Sequence, residues 1–207
     1  MVEISKRIID VIKDLFVIRN DCFPIQKDGL NEYKVMKGFF SDEIIKSHLK
    51  GTLTVGSFQI NPNTNTVKWI CFDFDGDLDT EFKKTKKLYI HLKENGYNPL
   101  LEFSGRRGYH VWLFIKPTDA AIARKFSHEV SKSIIISEIF PKQNKIGVNQ
   151  YGGQVKIPLG IHRASNKRSF FFDNNFKELS LKKSFNELLS INRKRDVLDI
   201  FNLKRFE

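Results

Sequence analysis

Apolar residues in the first sixteen positions, MVEISKRIIDVIKDLF, recur at helical spacing. Ile4, Ile8, Ile9, Ile12 and Leu15 share one side and the charges take the other, which predicts an amphipathic helix. Residues 41–50, SDEIIKSHLK, repeat that period behind Ser41 as N-cap, and Gly51 supplies the stop. The period then changes to two. TLTVGSFQI (52–60) and TVKWICFDF (66–74) read as strands on either side of the turn NPNTN, a predicted hairpin. Residues 79–95 return to a lysine-rich helix closed by Asn95-Gly96. PLLEFSG is a strand running into a loop, YHVWLFIK is the strand after it, and Pro117-Thr118-Asp119 starts a helix to about Ile136. GQVKIPLG and RSFFFD add two strands, and two short helices near 183–190 and 194–203 finish the chain. Hairpins beside helices in mixed order predict an α+β fold with a mainly antiparallel central sheet, not a doubly wound parallel one.

Composition narrows the function classes. The 207 residues are 41% hydrophobic, enough for one domain spanning 1–207 with a real core, and no repeat or low-complexity tract interrupts them. Lys and Arg number 35 against 24 Asp and Glu, a net charge of +11. That excess favours an anionic partner, nucleic acid or nucleotides ahead of a membrane surface, although a solvated lysine-rich surface gives the same number. Cys22 and Cys71 stand too far apart to form a metal-spaced pair, and they imply no disulfide framework. The first residues lack a signal-peptide layout, and no apolar run approaches the ~20 residues needed to span a bilayer. A soluble, cytoplasmic protein without a membrane partner is expected.

The candidate chemistry begins in CFDFDGDLD, residues 71–79. Residues i and i+2 of a strand share a face, so Asp73 and Asp75 project together while Phe72 and Phe74 face the opposite layer. Adjacent carboxylates repel, and a divalent cation removes the conflict; oxygen ligands at this spacing suit Mg²⁺ or Mn²⁺. Asp77 and Asp79 read as loop and helix-cap residues. In LEFSGRRGYHVWLF an apolar strand opens into Ser104-Gly105-Arg106-Arg107-Gly108, with His110 heading the next strand. The glycines let backbone approach a ligand, and the hydroxyl, the two arginines and the histidine supply donors for phosphate oxygens. A hairpin turn alone needs only the glycines. In GGQVKIPLGIHRASNKRSFFF, Lys156 alternates with Val155 and Ile157, and His162 and Arg163 follow in a loop. Lys156 also fits an edge-strand lysine, and Lys167 and Arg168 fit a solvated turn. Two metal-binding acids opposite a cationic rim match a nucleoside triphosphate with its metal.

With these segments in hand, the chain resembles the archaeo-eukaryotic primase superfamily. FDFDG is similar to its first motif, a strand ending in Asp-x-Asp, and SGRRGYH to its second, with Arg107 at the lysine position of the SGxKGxH spacing found in the ligase-associated branch. TVGSFQINPNTNTVKWICFDFDG and FPKQNK…GGQVKIPLGIHR look closer still to primase domains of conflict systems and CRISPR-associated primase-polymerases; the likeness spans residues 20–173, ahead of the C-terminal helices within 180–207. The resemblance implies an RRM-like catalytic sheet with flanking helices, fused to an N-terminal α/β lobe. It implies template-directed nucleotidyl transfer on a single-stranded nucleic-acid template from nucleoside triphosphates, with Asp73 and Asp75 holding Mg²⁺ or Mn²⁺. Ser104, Arg106, Arg107, Gly108 and His110 would hold the triphosphate, assisted by Lys156, His162 and Arg163. The family's third motif supplies a further acid, and twelve positions before Lys156 stands Asn144, an uncharged metal-ligand candidate; Glu138 is the alternative. The charged end LKRFE is compatible with one domain of a longer CRISPR-associated protein. Two rivals stand beside this reading. FDFDGD also resembles the nucleophile motif of haloacid-dehalogenase phosphatases, and a single-strand-binding module would need no third acid.

Overall fold

The computed structural model describes residues 2–194. Helix α1 (Lys6–Phe16) leads to a hairpin of β1 (Cys22–Gln26) and β2 (Tyr33–Lys37), then α2 (Asp42–Lys50) and β3 (Gly56–Phe58). The long strand β4 (Thr66–Asp75) is followed by α3 (Leu78–Glu94), β5 (Leu100–Phe103), β6 (Gly108–Asp119) and α4 (Ala120–Ser131). Short strands β7 (Glu138–Phe140), β8 (Gln154–Lys156), β9 (Ile161–His162), β10 (Lys167–Arg168) and β11 (Phe170–Phe171) precede α5 (Leu181–Lys194).

Five strands form the central sheet in the order β11-β5-β6-β4-β7, every pair antiparallel. Strand period divides its two faces. Trp69, Cys71, Leu100, Trp112 and Phe114 pack with α1, α2 and α5 in one core. Ile70, Phe72, Phe74, Val111 and Leu113 pack with α3 and α4 in the other. Each face therefore buries its own apolar layer, which is why β4 and β6 are apolar almost throughout. The α+β expectation with an antiparallel sheet holds. Against the first face sits an N-terminal lobe of α1, α2, the β1–β2 hairpin and the β3–β8 ladder; the Phe16 carbonyl at the end of α1 accepts from Trp69 Nε1 at 3.0 Å and Ser57 Oγ at 2.7 Å.

Several boundaries depart from the sequence reading. The predicted hairpin between 52–60 and 66–74 does not form: β3 pairs with β8 through Gly56↔Lys156 and Phe58↔Gln154. Gly56 permits this, since a Cβ there would lie 2.8 Å from the Val155 carbonyl oxygen. Strand β6 runs on to Asp119, whose side chain caps α4 by accepting from Ala121 N at 2.8 Å. Helix α4 ends at Ser131, short of Ile136, where the Ser131 hydroxyl donates back to the Ser127 carbonyl at 2.7 Å. Helix α5 runs unbroken from Leu181 to Lys194, and the predicted helix 194–203 lies, past its first residue, outside the described residues. Asp77 caps α3, accepting from Thr80 N at 3.0 Å.

One buried histidine ties α2 to the β3–β8 ladder and carries a pH signature. His48 on α2 accepts from Val55 N at 3.1 Å through Nδ1 and donates from Nε2 to the Ile157 carbonyl at 2.9 Å. Burial, with Lys156 nearby, lowers its pKa to about 3. The folded state thus excludes a proton that the unfolded chain takes up near pH 6.5, so stability is full above that pH and falls as pH drops toward 3. The slope approaches about 1.4 kcal/mol per pH unit for a single group. His162, lowered to about 4, acts in the same direction. Asp73 and His110, whose pKa values are raised, act the other way, so the sign is read by difference: the stability lost between pH 7 and 5 in urea should be smaller in His162→Gln than in the wild type.

Candidate active site

Strand β4 delivers both acids of its terminal motif to one cleft. Asp73 lies opposite His110 of β6 on one side and Glu138 of β7 on the other, and Asp75 lies opposite Gly108. The cleft holds about 490 Å³ and is lined by Asp73, Asp75, Glu138, Ser104, Arg106, Arg107, His110, Lys156 and His162, with Asn31 and Tyr33 from the β1–β2 hairpin. The two carboxylates share the face predicted from strand period, and Phe72 and Phe74 fill the opposite core.

The SGRRG loop is fastened to the end of β4. Ser104 closes it by giving its hydroxyl to the Gly108 carbonyl at 2.9 Å, and Gly76 N donates to the Arg107 carbonyl at 3.1 Å. Gly105 has φ +98, a left-handed conformation that favours glycine. At Gly108 the strands approach so closely that a Cβ would lie 2.3 Å from the Phe74 carbonyl oxygen. The guanidinium of Arg107 reaches back to Asp75 in a bidentate pair, 2.8 and 2.9 Å.

Beneath the rim lies a buried charge network. His110 donates from Nδ1 to Glu102 Oε2 at 2.9 Å, and its Nε2 stands 3.6 Å from Asp73 Oδ1. Lys156 donates to Ser169 Oγ at 3.0 Å and lies 3.6 Å from Glu102 Oε1. Burial raises the Asp73 pKa, and repulsion from Asp75, Glu138 and Glu102 adds to it against the pull of His110. Burial opposes the charge on Glu102, yet Lys156, His110 and Trp112 together hold its pKa below the carboxylate range. Burial works against the imidazolium of His110, but Glu102 and Asp73 raise its pKa overall. Burial lowers the pKa of Lys156.

Not every candidate from the sequence reaches the cleft. Asn144 is exposed in the segment after β7 and is absent from the lining, where Glu138 stands instead. Arg163 turns to the Gly51 carbonyl at 3.0 Å and to Asp28 at 3.4 Å. Arg168 is no solvated turn residue: it donates to the Leu49 and Leu159 carbonyls at 2.8 and 2.5 Å, tying the end of α2 to the loop after β8. Lys167 is exposed. The sequence reading passed over Glu102, Tyr33 and Asn31. Glu102 had a signal, a lone charge inside the apolar strand PLLEFSG, the same kind that marked Asp73. Tyr33 and Asn31 had none, because nothing local ties the β1–β2 hairpin to β4.

The carboxylates fit a hard divalent cation. Among the described residues no three His, Cys, Asp or Glu side chains close around one point. Mg²⁺ in phosphoryl-transfer sites is characteristically held by one or two carboxylates plus substrate phosphates, not by an all-protein cage. Asp73 and Asp75, crowded by Glu138, supply such a donor set.

The family described as "TOTE conflict system, Archaeo-Eukaryotic Primase domain" matches residues 37–197. No curated protein matches the chain. Among solved structures, the AEP domain of the cyanophage S-2L primase-polymerase is similar at TM-score 0.51 and 9% identity, over 90% of this chain and 97% of that one. The polymerase domain of Mycobacterium tuberculosis Ligase D, solved in complex with DNA, scores 0.42 at 12% identity over 85% and 72% of the two chains. The catalytic domain of primase RepB′ in complex with initiator DNA scores 0.44 at 9% identity over 91% and 95%.

Proposed function

The chain belongs to the archaeo-eukaryotic primase domain family of TOTE conflict systems, and from that premise we propose that it is a template-directed nucleotidyltransferase, a primase-polymerase that makes and extends primers from nucleoside triphosphates. The observation that carries this reading is the pairing of Asp73 and Asp75 in a cleft that is also lined by Arg106, Arg107, His110, Lys156 and His162. Acids alone would repel a triphosphate, and cations alone would bind it without a place for metal.

Asp73 and Asp75 would hold Mg²⁺ or Mn²⁺; Glu138 lines the same cleft as a third carboxylate, where Asn144 does not reach. A bound ion would supply Lewis acidity, favouring the ionised 3′-hydroxyl and offsetting charge on the reacting phosphate. The rest of the work falls to the chain. Arg106 offers a planar donor set to phosphate oxygens, and Arg107, paired here with Asp75, would exchange that carboxylate for phosphate once Asp75 serves a metal. His110 presents Nε2 beside Asp73, where it can donate to the same phosphate group. Ser104 and Gly108 shape the loop that carries the arginines. The primer 3′-oxygen attacks the α-phosphorus, the bond to the bridging oxygen breaks, and pyrophosphate leaves toward the basic rim. A single-stranded template would lie along the basic surface, held mainly by its phosphates. Further domains of a longer conflict-system protein would be its partners in cis. No helix among the described residues is long and apolar enough to cross a membrane.

Incubation with single-stranded template, labelled nucleotides and Mn²⁺, without primer, should yield products of two or more nucleotides. Chelation should abolish them, and raising salt from 50 to 200 mM should weaken template binding by about tenfold or more, as phosphate contacts require. Absence of product with and without primer, alongside retained single-strand binding, would turn the reading toward a binding module. Hydrolysis of small phosphoesters would favour the phosphatase.

A further inference from the structure

The charge buried under the cleft exceeds what holding a nucleotide at its rim requires. Glu102 is fully buried on β5, on the same sheet face as Leu100. Its Oε2 accepts from His110 Nδ1 at 2.9 Å and from Trp112 Nε1 at 2.8 Å, and its Oε1 faces Lys156 Nζ at 3.6 Å. A buried carboxylate without partners is strongly destabilising; here two donors from β6 meet Oε2, while Oε1 has no hydrogen-bond partner and faces only the charge of Lys156 from β8. His110 and Lys156 themselves line the cleft.

We propose that Glu102 is a positioning residue for nucleotidyl transfer: by accepting the Nδ1 proton of His110 it turns Nε2 toward Asp73 and the cleft, and by opposing Lys156 it keeps that ammonium at the cleft floor. The inference rests on reading the cleft as a nucleotide site. An imidazole has two nitrogens, and the partner of one decides which nitrogen meets a ligand. Without an acceptor at Nδ1 the ring can turn over about χ2, a soft torsion, and present carbon where nitrogen stood. Glu102 itself cannot rotate away, because the Trp112 indole holds the same oxygen and packs edge-on to His110, with ring centroids 5.6 Å apart. The geometry therefore runs in one chain, from Trp112 through Glu102 to His110 and Asp73.

The full 207-residue chain serves for the test. Glu102→Gln keeps the shape, removes the charge and places an amide N–H₂ among donors. Nucleotide kcat/KM should fall about 10–100-fold, as for other outlying partners of a ligating histidine, with the larger share in KM. In a His110→Ala background the same change should cost clearly less than in the wild type, since only the part that acts through Lys156 remains. The ¹⁵N spectrum of His110 should show a protonated Nδ1 in the wild type and an altered signal in the variant. If Glu102→Gln does not fold, Glu102→Asp keeps the charge but withdraws the oxygens, and the same losses are expected. A wild-type kcat/KM in the folded variant, an undiminished loss in the His110→Ala background, or an unprotonated Nδ1 in the wild type would each overturn the proposal. A wild-type chain that makes no product would defeat the polymerase reading instead, and the nitrogen spectrum would still decide on Glu102.

Discussion

Asp73→Asn is expected to reduce template-directed synthesis by at least about 10³-fold, about 4 kcal/mol of barrier, while leaving the fold intact or more stable. Activity should fall because the amide replaces a charged oxygen donor at the centre of the cleft, between His110 and Glu138. Stability follows from the direction of the pKa. Burial and three neighbouring carboxylates raise Asp73 above the ordinary value. A folded-state acid with a raised pKa binds its proton more tightly than the unfolded chain does, so its ionised form at pH 7 works against folding. Removing the charge relieves that cost, and the melting temperature at pH 7 should hold or rise. The advantage should shrink as the pH falls through the raised pKa, where wild-type Asp73 takes up a proton itself. Melting curves at pH 7 and pH 5, set beside primer extension, check both halves. A variant that polymerises normally would remove the acid pair from the chemistry. Single-strand binding should survive the substitution, because it removes no cation.

Gly108→Ala should be nearly as damaging to activity by a different route, with a loss of about 10²-fold and about 1–3 kcal/mol of stability. The added methyl would meet the Phe74 carbonyl oxygen at 2.3 Å and Asp75 Cα at 3.2 Å. Both are backbone atoms of a central strand, so no side chain can swing aside. The strands must part at the pair Gly108↔Asp75, which carries Asp75 and the arginine loop away from Asp73. Gly147→Ala is the control: its new methyl would make only ordinary contact, 3.6 Å from Gln150. Urea denaturation and nucleotide KM should change for the first and stay near wild type for the second. Equal behaviour of the two would mean that the close approach of β4 and β6 does not hold the site.

Much of the molecule is legible in its residues. The apolar run TVKWICFDF marks β4, and the two-residue repeat of strand geometry also states which face each residue takes once Phe72 and Phe74 must be buried. The joint projection of Asp73 and Asp75 follows from that alone. The glycines and donors of SGRRGYH mark the loop that meets them. The β1–β2 hairpin was missed for a local reason. CFPIQ is short and contains proline, and YKVMK alternates over only four residues before ending on an exposed lysine, so neither run is long enough for its period to stand out. Strand β7 is three residues long, too brief for any period to show.

Residue order by itself determined the long strands β4, β5 and β6, the left-handed stop of α2 at Gly51 and the direction in which the paired acids point, since these depend on sterics and burial within a few residues. Tertiary structure alone decided the partners: that β3 joins β8 and not β4, that Glu138 and not Asn144 enters the cleft, and that Glu102 meets His110 and Lys156. The physical reason is that a charge in an apolar strand is only a cost until folding supplies its counter-charges, and those arrive from segments whose separation along the chain carries no signal of their meeting.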